Sequence, residues 1–202
     1  DGGKQLSVPT ATTTSTTTDG FTASWSAVEG ATSYEVRLIA DDGQGMDAED
    51  ALMLSEDFAK FNGSSNTDHS TTLDAFTGTP GWSGQKVFDG SGSGVKIGSS
   101  KGAGTLSTPT LTSQTGQATV SVTLAAYGGD KPTVGIKAGN NLLATVSPTT
   151  TPTTYTYSGT VEGSFKVTVA AASSKQRFYI SSLKVYDGEF TEQDLTANTP
   201  LR

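Results

Sequence analysis

Few residues of this 202-residue chain have types suited to chemistry. His69 is the only histidine, and it stands between Asp68 and Ser70. These are the residue types of a Ser-His-Asp relay, but adjacent residues cannot form one by themselves; the geometry must come from the fold. Residues 62–72 (NGSSNTDHSTT) read as a long polar loop, and His69 as an exposed loop histidine. With no Cys and no second His, the commonest metal and nucleophile sets are gone. Carboxylates remain. Glu56 and Asp57 are neighbours, so on a strand they face opposite ways. Asp41, Asp42, Asp47, Glu49 and Asp50 cluster in DDGQGMDAED, which reads as a solvated connector. Glycoside hydrolysis needs two carboxylates facing each other across a cleft. Neither group offers that, so the chain reads as non-catalytic. Hard oxygen donors for calcium are plentiful in Glu56, Asp57, Asp68, Asp74, Asp89 and Asp187, though no DxDxDG loop gathers them.

The other chemistry on offer is aromatic. Sugar recognition uses flat rings that stack on pyranose faces, flanked by amide, carboxylate and cationic groups. Phe76, Trp82, Phe88 and Tyr127 stand outside any clear strand alternation, and Tyr127, Trp82 and Phe76 are the ligand-binding candidates. Trp82 follows Thr79-Pro80-Gly81, a loop-tip sequence. Tyr127 precedes Gly128-Gly129-Asp130 at a strand end and is expected to be the better exposed. Tyr155 and Tyr157 share a strand face, which is either a platform or core.

Composition decides what must position these residues. Hydrophobic residues make up 33% and charged residues 16%, both low for a globular protein. Disorder usually comes with high net charge and few β-branched residues. Here charge is sparse while Thr and Val abound, which suits pleated strands with solvated faces. Net charge is −7 and the 13 basic residues are scattered, so nucleic acid and membrane insertion are excluded as partners. No apolar run approaches the ~20 residues of a membrane-spanning helix. The chain opens at Asp1 rather than Met, as expected after removal of a leader or anchor.

Period-two patterns run through the sequence. Leu6 to Pro9 predicts a short first strand, and the Thr-rich stretch 11–18 a loop or exposed edge. Phe21, Ala23 and Trp25 alternate with polar residues, as do Tyr34, Val36 and Leu38, with a Glu-Gly turn between. Leu52, Leu54, Phe58 and Phe61 are predicted anchors of a second unit. Trp82 to Phe88 and Val95 to Ile97 flank the Gly-rich turn 89–94. Val120, Val122 and Leu124 mark the strongest strand, and Gly139-Asn140-Asn141 a tight hairpin. Phe165, Val167 and Val169 share a direction. In the last strand, Arg177 to Tyr186, parity changes between Ile180 and Leu183, which predicts a bulge at Ser181 or Ser182. A helical turn is predicted only at Asp47 to Met53. Roughly ten strands with frequent turns make an all-β sandwich.

Two resemblances refine this. Residues 19–39 resemble the second and third strands of a fibronectin type III domain, with Trp25 and Tyr34 as its core aromatics. Such a domain has about seven strands, and the pattern stops after Ala40. Residues 52–188 resemble a jelly-roll module of bacterial secreted and surface proteins, of the galactose-binding-like and concanavalin-like type. The features are Ser55-Glu-Asp-Phe58, Trp82, Val95-Lys-Ile-Gly98-Ser-Ser, Gly104-Thr-Leu-Ser-Thr-Pro109 and Phe178-Tyr-Ile-Ser-Ser-Leu-Lys-Val-Tyr186. The resemblance implies carbohydrate binding or adhesion, Trp82 as a core or strand-entry residue, and a structural calcium bridging the opening and closing strands. Glu56, Asp57 and Asp187 are the ligands it implies. It also implies that the jelly roll is inserted in the fibronectin-like unit, whose remaining strands would follow residue 202.

The sequence therefore predicts an all-β chain: a jelly-roll β-sandwich over 51–189, after a partial fibronectin III-like strand set and acidic connector over 1–50. A polar tail over 190–202 has little to pack. The expected function is a non-catalytic binding module, carbohydrate-binding or adhesive, of a larger bacterial surface or secreted protein. Its expected partner is a glycan or cell-surface ligand, and its cofactor none or a structural calcium. A purely structural spacer and a glycan-processing enzyme are the alternatives.

Overall fold

A computed structural model describes residues 11–17, 20–32, 48–64 and 66–196. The predicted strands at 6–9 and 34–38, most of the acidic connector and the end of the tail lie outside the described residues. The chain divides into two compact units, 1–43 and 44–202. In the first, β1 (Ala11–Thr17) pairs antiparallel with β2 (Gly20–Trp25), with a register shift between Thr13 and Ser15. The Thr-rich stretch is thus a paired strand, as its β-branched residues favour. Ala31 N–H donates to the Val28 carbonyl at 3.0 Å, closing the Glu-Gly turn. Trp25 is 39% exposed, where the fibronectin resemblance placed a core residue.

The second unit is a β-sandwich. Its strands in order are β3 (Leu52–Glu56), β4 (Ser83–Gln85), β5 (Val87–Asp89), β6 (Val95–Ile97), β7 (Thr105–Ser107), β8 (Leu111–Thr112), β9 (Gln117–Ala126), β10 (Val134–Ala138), β11 (Asn141–Val146), β12 (Thr153–Thr160), β13 (Ser164–Phe165), β14 (Val167–Ala171) and β15 (Phe178–Asp187). One sheet has the order β11-β10-β14-β7-β4, the other β12-β9-β15-β6-β5 with β3 also on β15. Every pairing is antiparallel, and the chain passes repeatedly from one sheet to the other, as in a jelly roll. A small β8–β13 ribbon stands apart from both sheets. A short α1 (Glu192–Thr196) is the only α-helix among the described residues, and none is long and apolar enough to cross a membrane.

Alternation builds the core. Val120, Val122 and Leu124 of β9 face inward opposite Val185, Leu183 and Ile180 of β15. On β12, Tyr157 and Tyr155 pair with Val120 and Val122, so both tyrosines turn to the core side. Val134, Ile136, Val167, Val169 and Leu106 supply the facing layer. Outward positions carry hydroxyls that bond across strands: Thr123 with Thr154 and Thr119 with Ser158, both at 2.8 Å. Such pairs let a Thr-rich sheet face water without losing cross-strand contacts.

The predicted bulge is present. The β9–β15 register shifts between Ile180 and Ser182, which keeps Ile180 and Leu183 on the same face. A second shift, between Val185 and Tyr186 on the β3 side, sets Leu52 opposite Tyr186. Leu52 is consequently 41% exposed rather than an anchor, while Leu54, Phe58 and Phe61 are buried. Residues 48–51 form a turn. The start of the tail packs more than its polarity predicts: Phe190 lies 5.9 Å from the Tyr186 ring, and its N–H donates to Thr119 Oγ1 at 2.9 Å.

Gly94 holds the β5–β6 turn against the bulge. Its φ is +89°, and a Cβ there would come within 2.1 Å of the Ile180 carbonyl oxygen. Gly94→Ala must therefore move backbone on one side or the other. The expected cost is at least about 1–3 kcal/mol, read as a lowered midpoint in thermal unfolding; an unchanged midpoint would contradict this role.

Candidate functional site

Tyr127 sits where β9 ends and β15 begins. Its N–H donates to the Arg177 carbonyl, and the Asp130 N–H donates back to the Tyr127 carbonyl, both at 3.0 Å. That closes a four-residue turn in which Gly128 takes φ +54°. The turn delivers Asp130 to Arg177, whose Nε and Nη2 donate to its two carboxylate oxygens at 2.7 and 2.9 Å. The Arg177 N–H adds a third bond to Asp130 at 3.0 Å. A bidentate pair of this kind fixes the plane of the guanidinium, and Arg177 Cζ lies 4.3 Å from the Tyr127 ring centroid. The hydrogen bond from Arg177 is the main reason the Asp130 carboxyl ionises below its ordinary range.

Lys96 completes the cluster from the middle of β6. It stands opposite Tyr179 on the outward face of the sheet. Its Nζ lies 4.9 Å from the Phe88 ring centroid and 5.4 Å from that of Tyr127, within cation–π range of both. Nζ also donates to Asn66 Oδ1 at 3.4 Å. Desolvation, then repulsion from Arg177, lowers the Lys96 pKa, while Asp89 pulls the other way. Tyr179 lies 5.7 Å from Tyr127. The result is a half-exposed ring, two cations with fixed heads and a positioned carboxylate. Arg177 covers part of the ring, so the cluster offers a ligand the part left open, with hydrogen-bonding groups at its rim.

The other two predicted aromatics are elsewhere. Trp82 is 7% exposed and packs edge-on against Phe58 at 5.4 Å, so it offers no face to a ligand. Its Nε1–H is buried with no acceptor among the described residues. Phe76 stacks on Phe61 at 5.1 Å and sits 4.2 Å from the His69 ring. Among the described residues no ring contact joins either to Tyr127.

His69 is not an exposed loop residue. Its N–H donates to the Val87 carbonyl at 2.8 Å, and Ser91 N–H donates to Gly63 carbonyl at 3.0 Å, so the polar loop is laced onto the β5 edge. The imidazole is buried, with Nε2 3.1 Å from Asp89 Oδ2. Ser70 Oγ donates to Asp68, which also takes Lys86 Nζ at 3.2 Å. His69 thus faces Asp89 while Ser70 faces Asp68, and no Ser-His-Asp relay is assembled. Gly98-Ser99-Ser100-Lys101-Gly102 has the spacing of a nucleophile elbow. An elbow joins a strand to a helix; this segment joins β6 to β7.

The implied calcium ligands do not converge. Glu56 pairs with Leu183 at one end of the β3–β15 ladder, while the Asp187 N–H bonds the Ala51 carbonyl at the other. Four residues of strand separate the two positions, about 13 Å. Asp187 already accepts from Ser113 Oγ at 2.6 Å, Gln114 N at 2.8 Å, and Thr115 Oγ1 and N at 2.8 and 3.2 Å. Glu56 accepts from Gly78 N at 2.6 Å and Phe58 N at 3.2 Å, and Asp57 is exposed and accepts from Ala59 N at 3.0 Å. These carboxylates are filled by N–H and O–H donors that staple loops to strands. Among the described residues no three His, Cys, Asp or Glu side chains group as a metal site, so the trio does not fit calcium.

No protein-family model and no curated protein matches the sequence. Several solved carbohydrate-binding modules are similar in fold. The module CBM36 in complex with calcium and xylotriose is 19% identical, with 48% of this chain and 81% of that one covered, at TM-score 0.39. The CBM22-1 xylan-binding domain from Paenibacillus barcinonensis Xyn10C is 10% identical over 69% of this chain and 96% of that one, at TM-score 0.46. CBM35 from Cellvibrio japonicus Abf62 is 24% identical over 45% and 70%, at TM-score 0.36. So low a likeness carries no residue role across, and the sandwich stands on its own strand pairing.

Of the clustered residues, Lys96, Tyr179, Arg177 and Asp130 were missed from sequence. The available signal was parity: Lys96 lies between buried Val95 and Ile97, and Tyr179 between buried Phe178 and Ile180. Asp187 yields a pH prediction. Burial disfavours its ionisation, but hydrogen bonds from Ser113, Gln114 and Thr115 outweigh that and lower its pKa. A lowered carboxyl contributes stability above the unfolded pKa of about 3.9, lost as pH falls through the folded value. Asp187→Asn is expected to cost roughly 1–3 kcal/mol at pH 7. In urea titrations the gap to wild type should shrink below about pH 4; a gap constant across pH would contradict the assignment.

Proposed function

We propose that residues 51–189 form a non-catalytic extracellular module that binds glycan at the Tyr127 face, within a larger bacterial surface or secreted protein. The observation that carries this is the Tyr127 ring itself, half-exposed at a sheet end with Arg177, Asp130 and Lys96 held around it. A stacking face with a few oriented polar groups is what a saccharide-binding surface needs. Catalysis is disfavoured by how the acidic groups are used: Asp187, Glu56, Asp89 and Asp130 are each committed to structural partners. Residues 1–50 belong, in this reading, to a fibronectin III-like unit that carries the module.

A glycan array probed with the purified chain tests the reading. Reproducible binding is expected, weakened roughly tenfold or more by Tyr127→Ala, about 1.4 kcal/mol, at an unchanged melting temperature. Silence across the array, or binding indifferent to Tyr127→Ala, would favour a structural spacer or another surface.

A further inference from the structure

Lys96 is unusual in this acidic chain. Net charge is −7, yet two of the 13 basic side chains meet on the Tyr127 ring. Arg177 is matched by Asp130 at 2.7 Å. Among the described residues, ion pairs join His69 to Asp89, Lys86 to Asp68 and Arg177 to Asp130, and none reaches Lys96. The polar contact it makes is with the neutral Asn66 amide oxygen at 3.4 Å. Asp89, the carboxylate whose field reaches it, is turned to His69 Nε2.

The ammonium is also held where an anion would profit from it. Its head sits over both the Phe88 and Tyr127 rings, and its residue is only half-exposed. Burial and Arg177 disfavour its charged form. An incoming anion would offset both in a site drier than bulk water, where charge-assisted hydrogen bonds are strong. Asn66 and the turn 89–94 border this place, and the Ser91 N–H ties that turn to the Gly63 carbonyl at 3.0 Å. Gly90 lets this turn close tightly: a Cβ there would come 1.9 Å from the Gly94 carbonyl oxygen and 3.3 Å from the Tyr179 ring.

We propose that the glycan taken at the Tyr127 face is acidic, its anionic group received by Lys96 while a neighbouring sugar ring packs against the part of Tyr127 that Arg177 leaves open. This rests on the glycan-binding reading above. The shared chemistry is one negative charge on a saccharide, a uronate carboxylate or a sulfate ester.

The test uses the full chain, an array carrying neutral, uronate-bearing and sulfated glycans, and two soluble pairs: polygalacturonate with its methyl ester, and a sulfated galactan before and after desulfation. Acidic glycans are expected to dominate, with the charged member of a pair preferred and binding weakened by added salt. Lys96→Gln should lower acidic-glycan affinity roughly tenfold, and Lys96→Arg should retain most of it, both with wild-type melting. The pair that binds tells carboxylate from sulfate. Neutral glycans bound in a Tyr127-dependent way, with no acidic preference, would overturn this inference and leave the glycan reading standing. Acidic binding unchanged in Lys96→Gln would overturn it as well. No binding to any glycan would overturn both.

Discussion

The register of β15 is the constraint on which both the core and the candidate site depend. Along one edge it pairs with β9 for nearly its whole length. Along the other, β6 covers residues 178–180 and β3 covers 183–186, end to end. The bulge after Ile180 falls at the junction of these two partners. Without the extra residue, side-chain parity would invert beyond it, and Leu183 and Val185 would leave the core for solvent. With it, Phe178, Ile180, Leu183 and Val185 all stay buried.

The same register places the site. Tyr179 faces out because Phe178 and Ile180 face in, and it stands beside Lys96 because Ile180 pairs with Val95. Arg177, one residue before the strand, meets the turn that ends β9. Asp130 then locks the guanidinium against Tyr127. The cluster therefore rests on two rigid strands and one hydrogen-bonded turn, which suits a surface that binds without rearranging. Away from it the outward face of this sheet is built of Thr and Ser pairs, which explains how so Thr-rich a chain folds with 33% hydrophobic residues.

Much of the fold was legible because strand parity is a local signal. Val120, Val122 and Leu124, the hairpin at Gly139, and even the bulge at Ser181 and Ser182 follow from alternation alone. The site was only partly legible. Tyr127 could be named as a strand-end aromatic, but its partners come from 31 residues before it and 50 after, and pairing register is not written in any one segment. His69 was misplaced for a related reason: its loop is polar, yet backbone bonds to Val87 and the Asp89 carboxylate draw it inward. The acidic trio was misjudged because residue type does not reveal which donors have already filled a carboxylate.

The account stands or falls on where ligand touches the sandwich. Backbone and side-chain NMR spectra of the isotope-labelled chain, recorded while titrating a glycan that it binds, would locate that contact directly. Shifts concentrated at Tyr127, Lys96, Arg177 and Tyr179 are the predicted result. Shifts gathered on the outward face of the five-stranded sheet, around Lys137, Leu142 and Thr168, with the Tyr127 cluster unmoved, would contradict it.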